Sequence, residues 1–162
     1  SYVDFAFSDF LLEAERTGRA RFVDNARIFP GLETLYLGGH SECSQAVLVS
    51  TSDGLAIIAS DDIYLYELLA RGVIPQIRTD EKRYRAGLDR LVELAEREDG
   101  VIVPLHDPIV WEVFEREGDR WLAALRRHSD AAIRSYRERR ESAARETRRA
   151  KTKKKPQAGS TE

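Results

Sequence analysis

Three strand-like runs in this chain each end in a side chain able to bind a metal, and that pattern narrows the folds open to it. Residues 33–37 lead through Gly38-Gly39 to His40. The apolar run at residues 55–60 leads to Asp61, and residues 101–105 lead to His106 and Asp107. Open α/β sheets place their chemistry at strand ends. Two imidazoles and a carboxylate are borderline donors that suit zinc, with iron, manganese or cobalt as alternatives. Three donors supply at most one metal, or a share of two. The remaining ligands of such a site would lie elsewhere.

Periodicity around these runs predicts alternating strands and helices. Phe7, Phe10, Leu11 and Ala14 recur at helical spacing, which predicts a helix over residues 3–17 with Gly18 as its stop. Residues 19–25 read as a short strand, and Pro30-Gly31 marks a turn. Residues 45–50 and 55–60 are β-rich runs joined through Asp53-Gly54, a hairpin signal. The second run is almost wholly apolar, which predicts burial on both faces. A helix is expected over residues 63–70. A second spans 81–99, capped by Asp80 or Thr79, with Tyr84, Leu88, Leu91, Leu94 and Ala95 on one face. A third begins near Ile109. From Trp121 to about Ala150 the chain is rich in helix formers but loses its apolar stripe after Ile133. Residues from Lys151 onward read as a disordered tail.

Charge divides the chain. Residues 126–155 hold thirteen Lys and Arg against four acidic residues, a net +9, whereas residues 1–125 hold thirteen against twenty-three, a net −10. The basic part could meet nucleic-acid phosphates, but Tyr136 is its only aromatic residue. A solvated helix with internal Glu–Arg pairs, or contact with an acidic partner surface, is the favoured reading. No apolar run approaches the ~20 residues that span a bilayer. Asp4 and Asp9 break any apolar start, which predicts no signal peptide. The single cysteine, Cys43, fits a reducing, cytoplasmic setting and excludes an internal disulfide. The chain has no Met. An initiator Met trimmed before Ser1 and a start made by cutting a longer precursor account for this equally.

Together these motifs resemble the second half of a metallo-β-lactamase-fold hydrolase, in the N-acyl homoserine lactonase-like branch. That family carries four ligands in a first-half His-x-His-x-Asp-His motif, which is absent here. Its later Gly-His segment reads Gly39-His40-Ser41-Glu42-Cys43-Ser44-Gln45, its Gly-Asp-Ala-x-Tyr segment reads Ser60-Asp61-Asp62-Ile63-Tyr64, and its last Gly-His-Asp reads Leu105-His106-Asp107. The order and spacing agree over about residues 20–115. The departures at Ser60, Asp62, Leu105, Glu42 and Cys43 leave the three donors intact.

The resemblance implies an α/β fold, the C-terminal half of an αββα sandwich completed by a second chain that bears His-x-His-x-Asp-His. Residues 1–125 would form that half-domain, 126–150 a basic helical extension and 151–162 the tail. It also implies two divalent metal ions, zinc first, with His40, Asp61 and His106 as ligands and Asp61 as the bridge. Asp61 is preferred over Asp62 for that role because it sets Tyr64 at the family's spacing. The implied activity is hydrolysis of a small carbonyl substrate (lactone, ester or amide) through a metal-bound hydroxide, with Asp61 and Tyr64 as catalytic groups. The competing expectation is a non-catalytic interaction module that uses the half-fold as scaffold and the basic tail for partner or nucleic-acid binding.

Overall fold

Pro30-Gly31 closes a two-residue hairpin, with Gly31 at φ 85°, a left-handed conformation open to glycine at no steric cost. Its arms are β1 (Ala26–Phe29) and β2 (Leu32–Tyr36). In the computed structural model the chain is described over residues 5–153, with side chains from residue 8. Ser1 and residues 154–162, most of the expected tail, lie outside the described residues. A second hairpin joins β3 (Gln45–Thr51) to β4 (Gly54–Ile58), and β5 (Val101–Val103) completes a sheet of order β1-β2-β3-β4-β5. The first four strands pair antiparallel, and β5 runs parallel to β4.

The helices are α1 (Phe5–Arg16), α2 (Tyr66–Arg71), α3 (Glu81–Arg97), α4 (Pro108–Glu117) and α5 (Trp121–Lys153). The Asp80 side chain caps α3 by accepting from Arg83 N at 2.9 Å, as the sequence suggests. The apolar face of α3 is buried: Tyr84, Leu88, Leu91, Val92 and Ala95 join Ile57 and Ile102 of the sheet in the core. Each buried Leu or Ile of this kind contributes roughly 1.5–3 kcal/mol of burial free energy. α5 packs along α2, α4 and β5. Ser129 of α5, fully buried, accepts from Ile102 N at 3.0 Å and so covers the outer edge of β5.

The structure corrects several expectations. Residues 19–25 form no strand. A two-residue turn needs paired strands directly beside it, so the strand lies at β1 instead. Residues 23–25 are tied to the sheet by side chains: Gln45 Nε2 donates to Val23 O, Thr34 Oγ1 to Asp24 O, and Tyr36 N to Asn25 Oδ1. The helix expected over residues 63–70 begins only at Tyr66, after a short 3₁₀ turn at Ser60–Asp62. Tyr64 therefore sits in the connecting segment and not on a helix face. The last helix runs on through Lys153, so the first three residues of the expected tail are helical.

The basic stretch is partly engaged within the molecule. Arg137 pairs with Glu96 at 2.7 Å, Arg140 pairs with Asp89, and Tyr136 donates to Asp89 Oδ1 at 2.8 Å, all tying α5 to α3. Beyond them residues 141–152 are exposed. No helix among the described residues is long and apolar enough to cross a membrane.

Candidate metal centre

The loop after β2 reaches its place because two glycines carry it. Gly38 and Gly39 have φ of 66° and 103°, in the region L side chains rarely adopt. A Cβ on Gly39 would lie 2.4 Å from Tyr84 N, so only glycine allows the loop to press against the start of α3. The Gly39 carbonyl accepts from Thr79 N at 2.8 Å and Asp80 N at 3.0 Å. This docking presents His40. The turn after β4 presents Asp61, and α3 fixes that turn as well, since the Tyr84 hydroxyl donates to Asp62 O at 2.6 Å and Asp61 O at 3.2 Å. His106 comes from the loop between β5 and α4.

The structure brings all four expected site residues together. Asp61 Oδ1 lies 2.7 Å from His106 Nε2, and Asp61 Oδ2 lies 3.4 Å from His40 Nε2. Each oxygen of one carboxylate thus faces a different imidazole, from a different strand end. The Tyr64 ring stands edge-on to both, with centroid distances of 4.7 Å to His106 and 5.9 Å to His40. His40 is mostly covered, while Asp61 and His106 keep 43% and 55% of their side-chain surface open. The cluster is open to solvent on the His106 side.

These residues fit a share of a metal centre but not a whole one. Two zinc donors across a tetrahedral angle lie ~3.4 Å apart. His40 and Asp61 already stand at 3.4 Å. The His106–Asp61 contact is a direct hydrogen bond, and this exposed ring must draw back to admit a cation. Among the described residues no group of three or more His, Cys, Asp or Glu is arranged to hold a metal ion. His40 Nδ1 is buried and, among the described residues, has no hydrogen-bond partner, whereas a metal-bound imidazole ordinarily has its second nitrogen paired. Donor type and the His40–Asp61 spacing fit; the His106–Asp61 distance, the donor number and the outer support fall short.

Burial, then the charges of Asp61 and Asp62, hold the Tyr64 phenol above its ordinary value. Asp62 is a residue whose environment the sequence does not foretell. Its carboxylate is fully buried, and among the described residues neither oxygen has a hydrogen-bond partner. Desolvation first, and the neighbouring Asp61 charge second, push it up to about 7. Asp61 and not Asp62 turns toward the imidazoles. Tyr84 reads in the sequence only as core, and nothing there signals that its hydroxyl holds the Asp61 turn. The Gly38-Gly39 pair was the available signal for the close approach to α3. Cys43 is exposed, and its sulfur lies 3.9 Å from the Ser41 hydroxyl, with no base bonded to it among the described residues. His128 stacks on Tyr66 at 5.9 Å on α5.

No family model matches the chain, and no curated protein does. Solved structures do. A B. thuringiensis AiiA variant with N-decanoyl-L-homoserine bound at its active site is 25% identical, over 59% of this chain and 36% of that one, at a TM-score of 0.49. An N-acyl homoserine lactone hydrolase with N-hexanoyl-L-homoserine at its catalytic metal center gives the same identity, coverage and TM-score. A probable metal-dependent hydrolase from Staphylococcus aureus is 13% identical, over 56% of this chain and 33% of that one, at a TM-score of 0.50. The chain spans about a third of the length of the solved structures it matches. The last likeness is one of fold alone. In fold the chain matches part of the metallo-β-lactamase-type α/β architecture that its three strand-end motifs resemble.

Proposed function

We propose that this chain is one subunit of a metal-dependent hydrolase, active only with a partner chain that supplies the remaining ligands. The observation that carries the proposal is the Asp61 carboxylate, which faces His106 Nε2 with one oxygen and His40 Nε2 with the other. A carboxylate so placed can join two cations, each also held by one imidazole. His40, Asp61 and His106 would be this chain's ligands to two divalent ions, zinc first, with iron, manganese or cobalt as alternatives. Such ions, when bound, lower the pKa of water and polarise a carbonyl. The substrate class is a small lactone, ester or amide, and the setting, from the lone Cys43, is cytoplasmic.

The chain's own residues divide the remaining work. Asp61 fixes the spacing of the two histidines. Tyr64 stays a protonated phenol at neutral pH, since its environment raises its pKa. It can therefore donate a hydrogen bond to charge that develops on a carbonyl oxygen or a leaving group. Three features support a partner that bears His-x-His-x-Asp-His. The donor set is short of ligands, and His40 Nδ1 lacks a mate. On the sheet face away from α3, Leu32, Val47, Val49 and Ile58 stay only partly buried, an apolar surface that a second layer would cover. Tyr64→Phe, assayed on ester and lactone panels in the complex, tests the assignment. It should keep the metals and slow turnover by roughly 10²-fold. Unchanged turnover would make Tyr64 a packing residue.

A further inference from the structure

Asp107 stands where two helices begin. Its Oδ1 accepts from Ile109 N at 3.2 Å and caps α4, with Pro108 as that helix's first residue. Its Oδ2 accepts from Tyr66 N at 2.9 Å, forty-one positions back along the chain. Tyr66 is the first residue of α2, and the residue in the capping position, Leu65, has no side-chain acceptor to offer. One carboxylate therefore serves the first turns of both helices.

The two segments it joins carry the candidate centre. Tyr64 is two residues before Tyr66 and Asp61 is five before, while His106 directly precedes Asp107. The Asp107–Tyr66 bond is a side-chain tie between the His106 loop and the segment that follows Asp61. His106 itself is more than half exposed, and its ring meets the Asp61 carboxylate and stands edge-on to the Tyr64 ring. We infer that Asp107 is a positioning residue: through its bond to Tyr66 N it holds the His106 imidazole against Tyr64 and Asp61. That these donors bind metal rests on the function proposed above, but the geometric claim does not need a metal to be present.

The two roles of Asp107 can be separated. A serine at this position still caps α4, because a hydroxyl on the N-cap residue reaches the nearby N–H groups of that helix. It is too short, and has too few acceptor oxygens, to hold Tyr66 N as well. The test is nuclear magnetic resonance on the full chain as purified, metal-free, comparing D107S with the parent. In the parent, cross-peaks are expected between the Tyr64 and His106 ring protons, whose centroids are 4.7 Å apart. In D107S the far-UV dichroism should be retained and those ring cross-peaks lost. A folded D107S that keeps the cross-peaks overturns the inference. If D107S fails to fold, the double variant L65S/D107S gives each helix a local cap without restoring the tie. Loss of the ring contact in a folded double variant supports the inference, and its retention overturns it. Zinc titration of the parent and D107S chains, each in complex with the partner, reports on the metal reading separately. If zinc binds, affinity should fall about 10–100-fold in D107S, as for other residues that orient a ligand. A parent complex that binds no zinc while D107S loses the ring contact would sink the metal reading and leave the positioning role standing.

Discussion

Ser60 holds the backbone at φ 50°, in the left-handed region, directly before Asp61. A non-glycine residue there carries a steric cost of about 1 kcal/mol. The resemblance identified in the sequence has glycine at this position. Ser60→Gly should therefore leave the Asp61 turn in place and raise stability by roughly 0.5–1 kcal/mol, read as a shift in the urea midpoint. A loss of stability would mean that the serine side chain supports the turn. Asp62 makes a second prediction at this scale. Its pKa rises from an ordinary 3.8 to about 7 in the folded chain. Between those values the folded chain keeps a proton that the unfolded chain has released. The contribution of Asp62 to stability is thus fully present below about pH 4 and is lost as pH rises to about 7, at no more than ~1.4 kcal/mol per pH unit. Denaturation of the metal-free chain across that range should show the fall, and Asp62→Asn should flatten it. Equal slopes in the two proteins would show that Asp62 titrates normally.

At the scale of elements, α3 organises the site from behind. Its first turn receives the Gly39 loop, and its Tyr84 hydroxyl holds the carbonyls of the Asp61 turn. Gly39→Ala would set a methyl group against Tyr84 N, a backbone atom that cannot yield cheaply. It should cost about 1–3 kcal/mol of stability and move His40 off Asp61. Thermal unfolding together with zinc affinity would check both effects, and a variant unchanged in both would rule out the close approach. Much at this scale was legible beforehand. The helical stripe from Tyr84 to Ala95 encodes its own burial, Asp53-Gly54 marks the β3–β4 hairpin, and Asp80 announces the start of α3. What was not legible depends on distant partners. The segment at residues 19–25 looks like a strand, but the Gln45 and Thr34 side chains hold its carbonyls and the Asn25 side chain accepts from Tyr36 N, so the strand shifts to β1. The start of α2 is set by Asp107, forty-one residues on, and no local pattern could place it. The three candidate site residues were visible because each follows a strand-like run. The orphaned carboxylate of Asp62 was not, since burial of an acid follows from packing and not from its neighbours in sequence.

For the whole molecule, the central claim is that this chain holds only a share of a two-metal centre, with Asp61 common to both ions. The sheet face with Leu32, Val47, Val49 and Ile58, the open side of the cluster and His40 Nδ1, unpaired among the described residues, are what the proposed completion by another chain would account for. The basic C-terminal helix does not bear on that claim, since Arg137 and Arg140 already pair with α3, Arg139 donates to Ala70 O, and residues 141–152 are exposed. The most direct test is the metal content, by mass spectrometry of the elements, of the chain purified in complex with its partner. The parent complex should hold close to two divalent ions. His40→Ala and His106→Ala should each lose mainly one, and Asp61→Ala should lose both. An Asp61→Ala complex that is folded and keeps its full metal content would contradict the account.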